Sequence, residues 1–193
     1  MSDNKGYIVF DIETAPSRYD EYRSAFPMSK KKPGLHAFIS QTVAIGICGT
    51  DFDDCRVVGD DAKDEKALLK WFSNVIECHP GVVLVGYNIR NFDIPFLRVR
   101  AAKLGVPIQL PARNSIRIVD IYDLMGGRWQ ADTSSGTLSE LKWYLYGGPK
   151  ETGGGDQVAK WFANCEYDKI REHCLEDIAL CDRIYREYKG ALF

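Results

Sequence analysis

The chain has 193 residues, 45% of them hydrophobic, and 25 lysines and arginines against 27 aspartates and glutamates give a formal net charge of -2. Length and apolar content suit one globular domain over 1–193 with its own core. The charge balance excludes a generally basic nucleic-acid coat, so attraction for phosphate must come from local lysines, arginines or bound metal. The N-terminus lacks the apolar core of a signal peptide and no apolar run is long enough to span a bilayer, so a cytoplasmic protein with no membrane partner is expected.

Tyr7–Phe10 reads as a short buried strand and Gln41–Cys48 as a second, joined by a long polar connection from Ala15 to Ser40 that carries Lys30, Lys31 and Lys32. A loop of that length in a compact domain tends to serve function. Arg56–Val58 adds an edge strand after a hairpin turn at Asp51–Asp54, which makes three strands a meander. Asp64–Glu77 has a helical stripe of Ala67, Leu68, Trp71, Phe72 and Val75, and Gly81–Gly86 follows as a buried strand, so the helix between them reads as a crossover. A further helix runs from an N-cap at Asp93 to Lys103, stopped by Gly105 and Pro107. Ile116–Ile121 reads as a strand, glycines 126, 127 and 136 mark a loop, and Leu138–Tyr146 is helical up to Gly147. Gly153–Gly155 reads as a flexible joint, and Glu166–Tyr188 is the last and longest helix. The sum is an α/β domain with a mixed central sheet flanked by helices.

Four acids recur where segments can converge: Asp11 and Glu13 in Phe10-Asp-Ile-Glu-Thr14, Asp93 after Phe92, and Asp177 in the last helix. Residues i and i+2 of a strand face the same way, so Asp11 and Glu13 can share a ligand where the apolar run ends. Asp93 follows a buried strand whose carboxyl end is the usual ligand-binding edge of an α/β sheet, although an ordinary helix cap explains it equally. At roughly 100° per residue, Ile170, Cys174, Ile178, Cys181, Tyr185 and Tyr188 form one stripe that includes Asp177, whereas Glu172, Glu176 and Asp182 point elsewhere. A carboxylate on that face needs a cation, either an arginine or a metal. Four clustered carboxylates repel one another, and hard divalent ions such as Mg²⁺ or Mn²⁺ offset that repulsion, as in two-ion phosphodiester chemistry. His173 lies one turn before Asp177, within reach of it. The three lysines at 30–32 read as a solvated loop. The six cysteines (Cys48, Cys55, Cys78, Cys165, Cys174, Cys181) contain no Cys-x-x-Cys pair and read as reduced, mostly core thiols.

Taken together, Phe10-Asp-Ile-Glu-Thr14, Asn88 followed by Phe92-Asp93, and an acid on a C-terminal helix resemble the three motifs of the DEDD superfamily of ribonuclease H-like 3′-to-5′ exonucleases. Leu138–Lys142, Gly147–Lys150 and Asp156–Val158 make the chain most similar to stand-alone domains like the proofreading exonuclease of family B DNA polymerases. The resemblance implies a three-layer ribonuclease H-like fold and hydrolysis of the 3′ end of single-stranded nucleic acid, DNA favoured over RNA, to nucleoside 5′-monophosphates. It implies two divalent ions held by Asp11, Glu13, Asp93 and Asp177, and places Thr14, Asn88 and Phe92 near the terminal nucleotide. His173 stands four residues before Asp177, where the family carries tyrosine, and would take that residue's role of orienting or activating the attacking water. The departure leaves open a catalytically weak nucleic-acid-binding or partner-binding module on the same fold, and an endonuclease is a second enzymatic alternative. The sequence names no protein partner.

Overall fold

The computed structural model describes residues 6–49, 53–124, 136–148 and 154–192. The loop expected at 126–135, Gly153, and Asp51 and Phe52 of the turn expected at 51–54 lie outside them. Five strands, β1 (Tyr7–Pro16), β2 (Ser40–Gly49), β3 (Asp53–Val57), β4 (Val83–Gly86) and β5 (Ile118–Asp120), form one sheet in the order β3-β2-β1-β4-β5. β3, β2 and β1 are the antiparallel meander; β4 and β5 run parallel to β1. Helix α2 (Glu65–Cys78) bridges the two halves, and α3 (Asp93–Leu104) connects β4 to β5.

Alternation along β1 sorts the layers. Ile8, Phe10 and Ile12 face α2 and α3, where Leu68, Leu69, Phe72 and Leu97 complete a dry core. The opposite row begins with Val9, packed against Ile178, Cys181 and Ile184 of α7 (Tyr167–Leu192). Asp11 and Glu13 continue this second row and so face the long helix. β1 runs six residues past Phe10, which puts both acids in mid-strand rather than at the strand end expected from the apolar run. Polar residues within a strand are what hid its length.

Other departures have similar causes. The buried face of α2 is Leu68, Leu69, Phe72, Ser73 and Ile76, with Trp71 and Val75 at its margin, so the true stripe is rotated from the expected one. The polar connection contains α1 (Tyr19–Ala25), which buries no residue and therefore has no periodicity to read. Two short helices, α4 (Ile121–Leu124) and α6 (Val158–Ala163), were not foreseen, while α5 (Leu138–Tyr146) matches expectation and begins with a Thr137–Glu140 capping box. Among the described residues no helix is long and apolar enough to cross a membrane.

The β1–β2 ladder shifts register between Glu13 and Thr14, so Val43 is an extra residue on β2. Glu65 braces that bulge. Its buried carboxylate accepts the Thr42 N–H at 2.8 Å and two N–H groups of Arg100 at 2.8 and 2.5 Å, and Arg100 also donates to the Ala37 carbonyl at 3.0 Å. Removing one partner strands the other's charge in the core. Arg100→Ala is expected to cost about 3–5 kcal/mol, read by urea denaturation, whereas a Glu65→Leu/Arg100→Met double variant should recover much of that loss.

Candidate active site

Two geometric devices bring Asp93 onto β1. Gly86 ends β4 so close to its neighbour that a Cβ there would lie 2.7 Å from the Phe10 carbonyl, and Asn88 adopts φ 60°, which turns the chain sharply outward. Asp120 fixes that turn by accepting the N–H groups of Asn88 at 2.7 Å, Arg90 at 2.8 Å and Tyr122 at 3.1 Å. Because β4 stops at Gly86, β1 extends beyond its parallel partner, and the Ile12 N–H donates to Asp93 Oδ1 at 3.1 Å. Phe92, not Asp93, occupies the N-cap position of α3, without a side-chain cap bond. The capping expectation for Asp93 is thus replaced by a long-range bond to β1.

From the other side, α7 lays His173, Cys174 and Asp177 against the Asp11–Glu13 row. His173 Nε2 is 3.5 Å from Glu13 Oε1 and 3.8 Å from Asp177 Oδ2. The helix face is subtler than the sequence stripe. Asp177 sits at the margin of the buried face with 32% of its side chain exposed, where it opens onto the cleft. Asp182, expected to point away, is 16% exposed and accepts a hydrogen bond from Tyr7 at 2.7 Å. That marginal position leaves the Asp177 carboxylate accessible from the cleft.

Asp11, Glu13, Asp93, His173, Asp177, Asn88 and Phe92 all line one cleft of about 410 Å³, joined by Tyr87, Tyr122 and Leu138. Thr14 lies just past the bulge, and its hydroxyl donates to the Gly34 carbonyl instead. Tyr87 donates to the Gly136 carbonyl at 2.5 Å and packs edge-on against Tyr122, so the aromatic wall is fixed.

Burial dominates the electrostatics. Desolvation, followed by the charges of Asp93, Glu13 and Asp177, pushes Asp11 well above the carboxylate range. Desolvation, then Asp177 and Asp93, does the same to Glu13. Asp93 rises from 3.8 to about 7, mainly by burial, while its backbone hydrogen bonds pull the other way. Such a set fits divalent cations, which favour the ionised form that burial opposes. Donor atoms of Glu13, His173 and Asp177 lie within 4.8 Å of one another, as do those of Asp11, Glu13 and Cys174. Glu13 belongs to both groups. Asp93 joins them through the shared cleft and its charge.

Cys174 and the glycines were underread in the sequence. Cys174 is a core residue as expected, yet its thiol meets the Asp11 carbonyl at 3.9 Å and faces both acids. Gly154 is no mere joint: a Cβ there would sit 2.5 Å from His173 Nδ1 and Cε1. Gly154 on one side and Trp161 edge-on at 6.1 Å on another hold the imidazole so that Nε2 meets the acids. Asp120 gave one available signal, an acid closing a strand just as a ligand-binding edge would have it. The glycine contact had none, because close approach is visible only after folding.

A family model described as DNA polymerase family B, exonuclease domain, matches residues 8–122, which include Asp11, Glu13 and Asp93 and stop before His173 and Asp177. A DNA polymerase of Pyrococcus horikoshii is 26% identical over 142 residues, covering 64% of this chain and 11% of that protein. The DNA polymerase delta catalytic subunit of Dictyostelium discoideum is 47% identical over 45 residues, 23% of this chain and 4% of its own length. The chain therefore spans a small part of these relatives. The solved family B DNA polymerase of Pyrobaculum calidifontis shares the fold, with a TM-score of 0.71 at 18% identity over 95% of this chain and 24% of that one.

Two outcomes are expected. A carboxyl whose folded pKa lies above its unfolded value favours the fold while protonated, so its contribution is full below the ordinary carboxylate range and is lost as pH rises through the folded pKa. For Asp93 that window runs from 3.8 to about 7. Melting temperature in EDTA should fall across it more steeply than in Asp93→Asn, and Mn²⁺ should flatten the wild-type curve by binding the ionised cluster. Gly154→Ala should displace the His173 ring, seen as a changed His173 imidazole NMR signal with the global fold retained.

Proposed function

The chain belongs to the family of family B DNA polymerase exonuclease domains, and on that premise we propose that it is a metal-dependent 3′-to-5′ exonuclease acting on single-stranded nucleic acid, DNA in preference to RNA. The observation that carries the reading is the convergence of Asp11, Glu13, Asp93 and Asp177, from three separate segments, on one cleft that also holds His173. Fold alone hosts many functions; the site is what argues for this one.

Asp11, Glu13, Asp93 and Asp177 would hold two Mg²⁺ or Mn²⁺ ions, which supply Lewis acidity toward a phosphoryl oxygen and lower the pKa of water. The protein's own groups do the rest. His173 Nε2, set beside Glu13 and Asp177, is placed to take the proton of the attacking water as general base. The water oxygen bonds to the terminal phosphorus, the bond to the preceding 3′ oxygen breaks, and that oxygen gains a proton from solvent, which releases a nucleoside 5′-monophosphate. The fixed Tyr87–Tyr122 wall and Phe92 offer apolar faces for the terminal base and sugar, and Asn88 offers a polar contact beside them. Histidine in place of tyrosine is compatible with this scheme because its ring nitrogen already reaches both acids.

The test is degradation of 5′-labelled single-stranded DNA and RNA with Mg²⁺, Mn²⁺ or EDTA. A ladder that shortens from the 3′ end, requires metal, and drops by about a thousandfold or more in Asp11→Ala is expected. His173→Ala should lose about 10²–10⁴-fold. Intact strands under every metal would remove the enzyme reading, and recovery in His173→Tyr would then make this chain a catalytically weak binding module. Cutting of a circular strand would make it an endonuclease.

A further inference from the structure

Phe92 borders two depressions. One is the carboxylate cleft; the other is a shallow pocket of about 280 Å³ on the outer surface of α3. Leu35, His36 and Phe38 of the β1–β2 connection form one wall of it, and Pro95, Phe96 and Val99 form the other. Phe38 is 58% exposed and Leu35 61% exposed, so neither serves only the core. His36 packs edge-on against Phe38 with ring centroids 4.6 Å apart. Burial, and then the charge of Lys31, lower the His36 pKa, which favours the neutral aromatic ring over the cation.

The cations come from the next residues. Lys31 Nζ lies 5.1 Å from the centre of the Phe38 ring and 5.9 Å from that of Tyr22, and the flanking Lys30 and Lys32 are exposed. An ammonium over an exposed ring is the reverse of a protein-interface core, where charge is depleted. It is what single-stranded nucleic acid requires: ring faces that stack bases whatever their sequence, with cations beside them for the phosphates. Position supplies the direction, because Phe92 lines both depressions, so a strand leaving the carboxylate cleft over that ring meets this pocket next.

We propose that the Phe92–Phe38 surface and Lys30–Lys32 form a track for the nucleotides upstream of the scissile bond, holding single-stranded nucleic acid by base stacking and phosphate contact. The proposal rests on the exonuclease reading for the identity of its ligand. It assigns binding energy to a connection that the sequence alone presents as a solvated loop.

Two readouts separate the track from the catalytic reading. Anisotropy of a labelled thymidylate dodecamer in EDTA reads the track without turnover, and steady-state hydrolysis of the dodecamer against a thymidylate dinucleotide reads both. The track predicts a lower KM for the dodecamer, a rise of about fivefold or more in its KM and Kd in Phe38→Ala, near-wild-type values in Phe38→Trp, and unchanged hydrolysis of the dinucleotide. Lys31→Ala should lower the slope of log Kd against log salt by about 0.7. Equal KM for long and short substrates, or dodecamer binding indifferent to Phe38→Ala and Lys31→Ala, overturns the track. If that indifference is accompanied by wild-type dimers that Phe38→Ala dissolves, the surface belongs to a second copy instead. Binding that depends on Phe38 with neither substrate cut by the wild-type enzyme sinks the exonuclease reading and leaves the track standing.

Discussion

Crowding carboxylates into a poorly solvated place is the constraint on which the rest of this molecule depends. Asp11 and Glu13 occupy positions of β1 that the sheet would otherwise fill with apolar side chains facing α7, the row that begins with Val9. Burial raises the proton affinity of both, and the neighbouring charges add to it, those of Asp93, Glu13 and Asp177 at Asp11 and those of Asp177 and Asp93 at Glu13. A fold gains nothing from that arrangement in the absence of cations; it is tolerated because the sheet and helices on either side are well packed. Asp120 shows the contrast. Three backbone N–H groups satisfy it, and its work is to hold the turn that delivers Asp93.

The scaffold answers by fixing the site from outside. On one face Phe10 packs against Phe72, and on the other Ile178 and Cys181 pack against Val9, so β1 is clamped on both faces just before its acids. The Glu65–Arg100 pair lies beyond the clustered acids, at the bulge where β2 adjusts to Thr14, and ties down Ala37 of the connection at the same time. A buried ion pair is a weak source of net stability. Its geometric consequence here is larger: one ion pair sets the positions of the bulge beside Glu13 and of the connection at Ala37.

How much of this was legible follows from which interactions are local. Strands with continuous apolar runs, such as residues 41–48 and 82–85, and α5 between its cap and Gly147, announce themselves by composition. β1 past Phe10 does not, because its second half carries acids on one row. α1 and α6 do not, because one buries nothing and the other is only six residues long. Asp177 was found for a reason the structure refines: periodicity located its face, but a 100° step cannot tell the buried centre of a stripe from its margin, nor foresee that Asp182 tucks under Tyr7. The bond from Ile12 to Asp93 and the approach of Gly154 to His173 link residues far apart in sequence, and no local pattern encodes them. That the four acids and His173 share one cleft was expected from their residue types together with the family resemblance; their supports were not, because glycine, asparagine and a buried arginine look ordinary until the chain closes on itself.

The same electrostatics govern how a substrate is held. A phosphodiester is an anion, and a cleft walled by Asp11, Glu13, Asp93 and Asp177 repels it unless cations intervene. Binding energy drawn from the cleft alone would therefore rise and fall with metal occupancy, and a chain with net charge -2 has no general field to compensate. Attraction that is independent of the metal has to come from outside the acid cluster yet remain continuous with it. Phe92 meets both conditions, since it lines the cleft with the acids and also the pocket beside Phe38, over whose ring Lys31 lies. On the proposed reading the acids serve the terminal bond while the connection holds the strand, and the position of the lysine-bearing connection beside α3, away from the carboxylates, suits that division.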